Sequence, residues 1–428
     1  MTGKGETMLK KVALTAVALL LFSAWGLVGA EPVRIGLNYP ETGPYSVQGR
    51  YQLQAANLAV EEINAAGGIA GRPIELVIRD TASRPEKSVA NVAEMIDSHG
   101  CEMIFGGSSS AVAIEGGKAA KSRGKIYFGT LTYSNATTGE EGHKYMFREC
   151  YNAWMGARVL SYYLRERYLA NRKYFYITAD YTWGWTTERS IRKFSNTSNS
   201  RRHKSVPTPF PGATEADFQK ALDAAAAEKP DVLVLVLFGK DMVTALRLAT
   251  EMGLKDAVQA VVVPNLTLGM AETGGPQIME GVIGALPWCW KVPYAYDHSR
   301  GRRFVEAFAG RYNSYPSTSA ASAYTILYEY KAAVERAGTF DSRAVVGALE
   351  DHRFALLKDG QQWRGFDHQC IQTVYAVRCK SAAEVVKDRF QQDYFEIVNE
   401  MDGVEAARNR FNWEYMRRKE GKPIQLEW

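Results

Sequence analysis

Three consecutive serines, Ser108, Ser109 and Ser110, stand between an apolar run and a helical pattern that opens on Ala111 and Val112. A serine at such a junction caps a helix, and Ser110 is the expected cap. Free amides and hydroxyls at the positive end of a helix can also receive a carboxylate or carbonyl oxygen. The residues themselves allow both readings, a plain cap and an oxyanion cradle. Other reactive groupings do not occur. His99, His143, His203, His298, His352 and His368 include no pair at metal-ligand spacing, and neither H-E-x-x-H nor G-x-x-x-x-G-K-[ST] is present. No G-x-S-x-G elbow gives the serines a hydrolase setting. The five cysteines, Cys101, Cys150, Cys289, Cys370 and Cys379, contain no C-x-x-C and cannot all pair. Ile371 to Arg378 reads as one extended strand, which holds Cys370 and Cys379 roughly 30 Å apart. The thiols are expected to be mostly buried and unpaired, and no catalytic residue, metal site or cofactor is expected.

The elements that must position the serine turn alternate between short β-rich runs and helical patterns, the mark of parallel strands joined by helical crossovers. Strands are expected at Val33 to Leu37, Ile74 to Arg79, Met103 to Phe105 and Ile126 to Phe128, with helices at Tyr51 to Asn64, Pro85 to Ser98 and Ala111 to Arg123. A second unit follows. Its helices are Trp154 to Arg167, Trp185 to Asn196, Asp217 to Ala227 and Met242 to Met252, and its strands are Lys173 to Thr178, Val232 to Leu237 and Gln259 to Val263. Two further helices are expected at Gly301 to Tyr312 and Ser317 to Ala337. The implied class is α/β, two doubly wound Rossmann-like lobes joined by a three-strand hinge. Residues 31–149 with about 286–367 form lobe 1, and 150–285 with about 368–380 form lobe 2. Crossovers are placed near Glu149, Leu286 and Asp367, with Trp288 and Trp290 packing at the second. The stretch 381–428 reads as a helical extension on lobe 2, built from Ala382 to Val398 and Glu405 to Arg418. Ligands of open parallel sheets sit beyond the carboxyl ends of the strands, so both lobes should aim those ends at one cleft.

Composition is that of a globular protein, 46% hydrophobic and 23% charged. Lys10 and Lys11 precede an apolar run from Val12 to Leu27, and Val28-Gly29-Ala30 supplies the small residues of a cleavage site. Residues 1–30 are therefore expected to be a signal peptide cut near Ala30/Glu31, and the protein to be periplasmic. The chain carries a formal charge of +5. That is too mild for a nucleic-acid partner.

Ile35-Gly36-Leu37 with Thr42-Gly43-Pro44, then Ala66 to Pro73, then Asp80, are similar to the opening of the branched-chain amino-acid-binding proteins, the type I periplasmic binding proteins that feed ABC importers. Gly106 to Ala111 resembles that family's Ser-rich turn, Asp180-Tyr181-Thr182-Trp183-Gly184 its second-lobe element, and Gly365 to Gln369 its last crossover. The resemblance implies the ligand contacts. Ser109 and Ser110 hold a carboxylate, the main chain at Leu131 and the side chain of Tyr133 face the same oxygens, and Thr132 replaces Tyr133 if the register shifts by one. Trp183 packs over the ligand and Phe238 stands where the family often has tyrosine. Asn265 occupies the place where amino-acid binders put a carboxylate for the ligand's ammonium. Asp241 or Asp180 would have to supply that charge here.

The expected function follows: a monomeric binding component of an importer takes an apolar or aromatic carboxylate, an amide or an amino-acid-like molecule by closure, and docks on an inner-membrane ABC permease. The alternative is a sensing module for a membrane receptor or sensor kinase.

Overall fold

The computed structural model describes residues 30–167 and 169–428. Apart from Ala30, the segment expected to be a signal peptide lies outside the described residues. None of the described helices is long and apolar enough to cross a membrane. The chain begins with β1 (Val33–Tyr39), α1 (Ser46–Ala65), β2 (Ile74–Asp80), α2 (Pro85–Asp97), β3 (Met103–Gly106), α3 (Ser110–Lys121), β4 (Ile126–Gly129) and β5 (Met146–Arg148). These five strands pair in parallel in the order β2-β1-β3-β4-β5. The second unit runs α4 (Ala153–Glu166), β6 (Tyr174–Ala179), α5 (Thr182–Phe194), β7 (Lys204–Thr208), α6 (Glu215–Glu228), β8 (Val232–Val236), α7 (Gly239–Glu251), β9 (Ala260–Val263) and β10 (Ile283–Leu286). Every residue of β8, VLVLV, is buried, as a parallel strand covered on both faces requires. Two long helices, α8 (Ser299–Tyr312) and α9 (Thr318–Ala337), then return to pack on α1. A small antiparallel sheet of β11 (Arg353–Phe354), β12 (Gln361–Trp363) and β13 (Cys370–Ile371) follows, before β14 (Val374–Cys379) and β15 (Phe395–Met401) join the second sheet in antiparallel fashion. That sheet has the order β15-β14-β10-β9-β8-β6-β7. The result is the expected two-lobed α/β architecture.

The region after residue 380 departs from expectation. The apolar spacing of Val385, Val386, Phe390 and Tyr394 reads as one helix, yet only Ala382–Val385 is helical and Phe395–Met401 is a strand. The free edge of β14 decides the matter, because ladder hydrogen bonds and a half-buried face outweigh helical propensity. The second expected helix is broken as well, into a turn at Gly403–Ala406 and a helix α10 (Arg410–Lys419) capped by Asn409. Nor does the extension stay on lobe 2. Trp413 Nε1 donates to Thr138 O at 2.8 Å, Lys144 N to Glu427 O at 2.9 Å, and the Trp428 ring meets Tyr145 edge-on, all in lobe 1. The stretch Ile371 to Arg378, expected as one strand, is divided between β13 and β14 in two different sheets. All five cysteines are buried and unpaired.

The chain passes between the sheets three times, after β5, after β10 and between β13 and β14. One side chain gathers these passages. Lys358 Nζ donates to Pro287 O at 2.8 Å on the second and to Thr373 O at 2.6 Å on the third, while Gln372 Nε2 donates to Glu149 O at 2.5 Å on the first. Lys358 is only 3% exposed, and burial pushes its pKa down and that of the neighbouring Glu149 carboxyl up. Replacing Lys358 by methionine leaves two carbonyls and a buried carboxyl without their cation. The substitution should lower unfolding stability by about 3 kcal/mol. Thermal or urea denaturation measures this, and an unchanged midpoint would show that the passages hold without the ammonium.

Candidate functional site

The loops that follow the carboxyl ends of β1, β3, β4, β6, β8 and β9 converge between the lobes. After β1, Asp80 fixes the turn that presents Tyr45. It accepts from Thr42 Oγ1 at 2.6 Å and from the main-chain amides of Glu41, Thr42 and Ala82. Burial works against its charge, but these hydrogen bonds hold the carboxyl below its ordinary range. After β3, Gly106 adopts φ +132, and a β carbon there would lie 2.2 Å from Asn38 O. The serine turn then leads into α3, and its geometry corrects the sequence reading. Ser109 is the N-cap, and its buried hydroxyl has no hydrogen-bond partner. Ser110 is the first helical residue, and its Oγ accepts from Ser134 N at 2.9 Å. It ties α3 to the next turn.

That turn, residues 130–138, is shaped by the fully buried guanidinium of Arg148. It donates to Thr132 O at 3.1 Å, to Ser134 O, to Thr138 Oγ1 at 2.6 Å and to Gln369 Oε1 at 2.7 Å. Thr132 turns its hydroxyl to Thr137 Oγ1 at 2.7 Å, whereas Tyr133 faces the other lobe. The Tyr133 ring lies 5.1 Å from Tyr151 and 5.9 Å from Phe238. Its hydroxyl is buried without a partner. Leu131 is core.

From lobe 2, Trp183 sits in the first turn of α5 and donates Nε1 to Asn265 Oδ1 at 3.2 Å. Asn265 Nδ2 donates to Tyr151 Oη at 2.5 Å, and that hydroxyl donates to Ala285 O at 3.0 Å. Both halves of the amide are thus engaged. Phe238, at the N-cap of α7, meets Tyr45, Tyr133 and Trp183 at centroid distances of 5.1, 5.9 and 6.1 Å. Tyr181 completes the wall, stacked on Phe210 at 4.2 Å, with its hydroxyl 3.1 Å from that of Tyr45. The structure therefore brings Tyr133, Trp183, Phe238 and Asn265 together and places Ser109 at the neighbouring turn, while the side chains of Ser110 and Thr132 bond within lobe 1 and that of Leu131 lies in the core.

Sequence reasoning missed Tyr45, Tyr151, Tyr181 and Phe210. Tyr45 and Tyr181 were findable, since both lie in the turn that follows a parallel strand. Of the two carboxylates considered for a ligand cation, Asp180 instead accepts from the exposed Trp185 Nε1 at 2.8 Å. Asp241 is half-buried beside Tyr45 and Tyr181, and burial raises its pKa to about 6. The lobes also meet main chain to main chain. Lys240 N approaches Pro44 O at 3.4 Å, and Gly239, at φ +61, leaves room for it, since a β carbon would lie 2.6 Å from Pro44 O and 2.7 Å from the Tyr45 ring.

A family model described as periplasmic binding protein matches residues 32–384. Leu/Ile/Val-binding protein homolog 1 of Brucella abortus (strain 2308) is 31% identical over 145 residues, which cover 34% of this chain and 37% of that protein. The match thus spans well under half the length of that relative. In fold, a periplasmic binding protein from Burkholderia mallei superposes with a TM-score of 0.79 at 22% identity, covering 90% of this chain and 98% of the other. A solute-binding protein of an ABC transporter from R. palustris, in complex with benzoate, does so with a TM-score of 0.73 at 18% identity, covering 87% and 97%. With a family model matching most of its length and a two-lobed fold shared with solved members, the chain belongs to the periplasmic binding protein family, among the relatives of the branched-chain amino-acid-binding proteins.

Proposed function

We propose that this protein is the ligand-capturing component of an ABC importer and that its ligand is a small carboxylic acid with an aromatic or apolar body. The observation that carries the ligand class is the division of the junction. Lobe 1 offers the unpartnered buried hydroxyls of Ser109 and Tyr133. Lobe 2 offers the rings of Trp183 and Phe238. A carboxylate satisfies the first set and a flat apolar body the second. Where amino-acid binders of the family hold a carboxylate for the ammonium, Asn265 is neutral and already bonded to Trp183 and Tyr151. A buried ammonium with no counter-charge costs several kcal/mol. The relative that holds benzoate is in keeping with this class. Capture proceeds by closure: the ligand meets the turns of lobe 1, and rotation about the three passages brings the ring wall of lobe 2 over it. The loaded, closed form then docks on the permease, and the protein acts as an exported monomer without catalytic groups.

A thermal-shift screen of residues 31–428 against amino acids, aromatic and aliphatic acids, amides and polyols tests the class. A ligand at a hundred times its Kd stabilises the fold by about 2.7 kcal/mol. Aromatic or apolar acids should give the largest shifts, and a response confined to leucine, isoleucine and valine would overturn the ligand class. The two serines separate binding from folding. Ser109→Ala removes a hydroxyl with no protein partner, so it should leave the melting temperature unchanged and weaken the best hit about tenfold. Ser110→Ala deprives Ser134 N of its acceptor and should cost about 1–3 kcal/mol of stability. Equal effects of the two on affinity would remove Ser109 from the site.

Asp241 adds a pH signature. Its carboxyl titrates near 6 in the folded protein against 3.8 ordinarily, so between those values the folded state holds more protons. Stability from this group therefore falls as pH rises through the window, and the penalty is complete at neutral pH. Asp241→Asn should melt above the wild type at about pH 7.5, with the gap closing towards about pH 4. A gap independent of pH would exclude Asp241 as the source.

A further inference from the structure

A second space between the lobes, about 140 Å3, is bounded by Asn135 and Glu140 of lobe 1, by Trp154, Arg189 and Lys193 of lobe 2, and by Arg408 of the C-terminal segment. Three of these side chains are cationic and one is anionic. Arg408 is only 7% exposed, its Nε has no hydrogen-bond partner, and its guanidinium forms no ion pair among the described residues. Glu140 acts on it only at a distance. Arg189 and Lys193 are likewise without an ion-pair partner among the described residues, and both are exposed, at the mouth of the space. The indole of Trp154 has Lys193 Nζ 4.8 Å and Arg408 Cζ 4.9 Å from its ring centroid, and its own buried N–H has no partner. A buried guanidinium without a counter-charge is costly, and buried donors are ordinarily satisfied. Two unanswered donors and an excess of positive charge around one cavity describe a site that lacks its anion. The volume exceeds the ~30 Å3 that one water occupies in the liquid and admits a small oxyanion.

We propose that this cavity binds a small oxyanion, sulfate, phosphate or a carboxylate, held by Arg408, Lys193 and Trp154, and that the bound anion favours the closed arrangement. Its walls come from both lobes, so opening would dismantle it, and an anion that binds the closed form preferentially stabilises that form. Arg408 lies beyond residue 384, outside the span of the family model, so the site combines residues within that span with one from this chain's extension.

Calorimetric titration of inorganic sulfate, phosphate and acetate into the full mature chain tests the site, with chloride as background at constant ionic strength. Saturable binding is expected. Preference for sulfate and phosphate identifies a tetrahedral anion, and preference for acetate a carboxylate. Lys193→Gln, an exposed change, and Trp154→Phe, which keeps a ring and removes the N–H, should each weaken binding at least about fivefold. Arg408→Gln should abolish it, and the other two variants decide the question if that one does not fold. Sulfate also stabilises proteins by exclusion from their surfaces, an effect those two substitutions would not change. The proposal is overturned if none of the three anions binds saturably, or if Lys193→Gln and Trp154→Phe both bind as tightly as the wild type.

Discussion

The ammonium of Lys358 is the constraint on which the geometry of this molecule rests. Three strands must pass between two sheets at one place, and passing strands cannot satisfy their main-chain groups in either ladder. A positive charge with three donors solves this for two of the passages, and Gln372 reaches the remaining one. Burying an ammonium is itself unfavourable, and the nearby Glu149 and the carbonyl oxygens offset the cost. The three passages are thus bound to one another at this point.

The two lobes meet with different chemistry. Lobe 1 is shaped by polar links, the partly exposed Asp80 under the Tyr45 turn and the buried Arg148 under the 130–138 turn, each holding main chain that would otherwise be free. Lobe 2 contributes rings, with Phe238 touching a neighbour on every side. This mixture of polar groups and rings suits the proposed ligand, a small acid with an aromatic or apolar body. The C-terminal segment spans this division, as a strand on one lobe and a helix against the other.

Much of this was legible in the chain. Continuous apolar runs such as Val232 to Val236 announce parallel strands covered on both sides, and the resemblance to the branched-chain amino-acid-binding proteins pointed to Tyr133, Trp183, Phe238 and Asn265 in the turns beyond such strands. What escaped were matters settled at a distance. Whether Ser109 or Ser110 caps α3 depends on Ser134, a residue 24 positions from Ser110. Whether residues 395–401 become helix or strand depends on the open edge of β14. Tyr151 and Phe210 gain their place only when the lobes come together, and no local pattern records that.

The meeting of Gly239 with Pro44 and Tyr45 has an evolutionary consequence. The latch is made of main chain, so it asks one thing of the sequence, that position 239 have no β carbon. The wall beside it asks something different of Tyr133, Phe238 and Asn265, whose side chains would shape the space for the proposed ligand. On the proposed reading, a lineage could therefore rewrite those three positions and acquire a new ligand while this main-chain contact is kept. Divergence of taste and preservation of motion are separable in this scaffold because different atoms encode them.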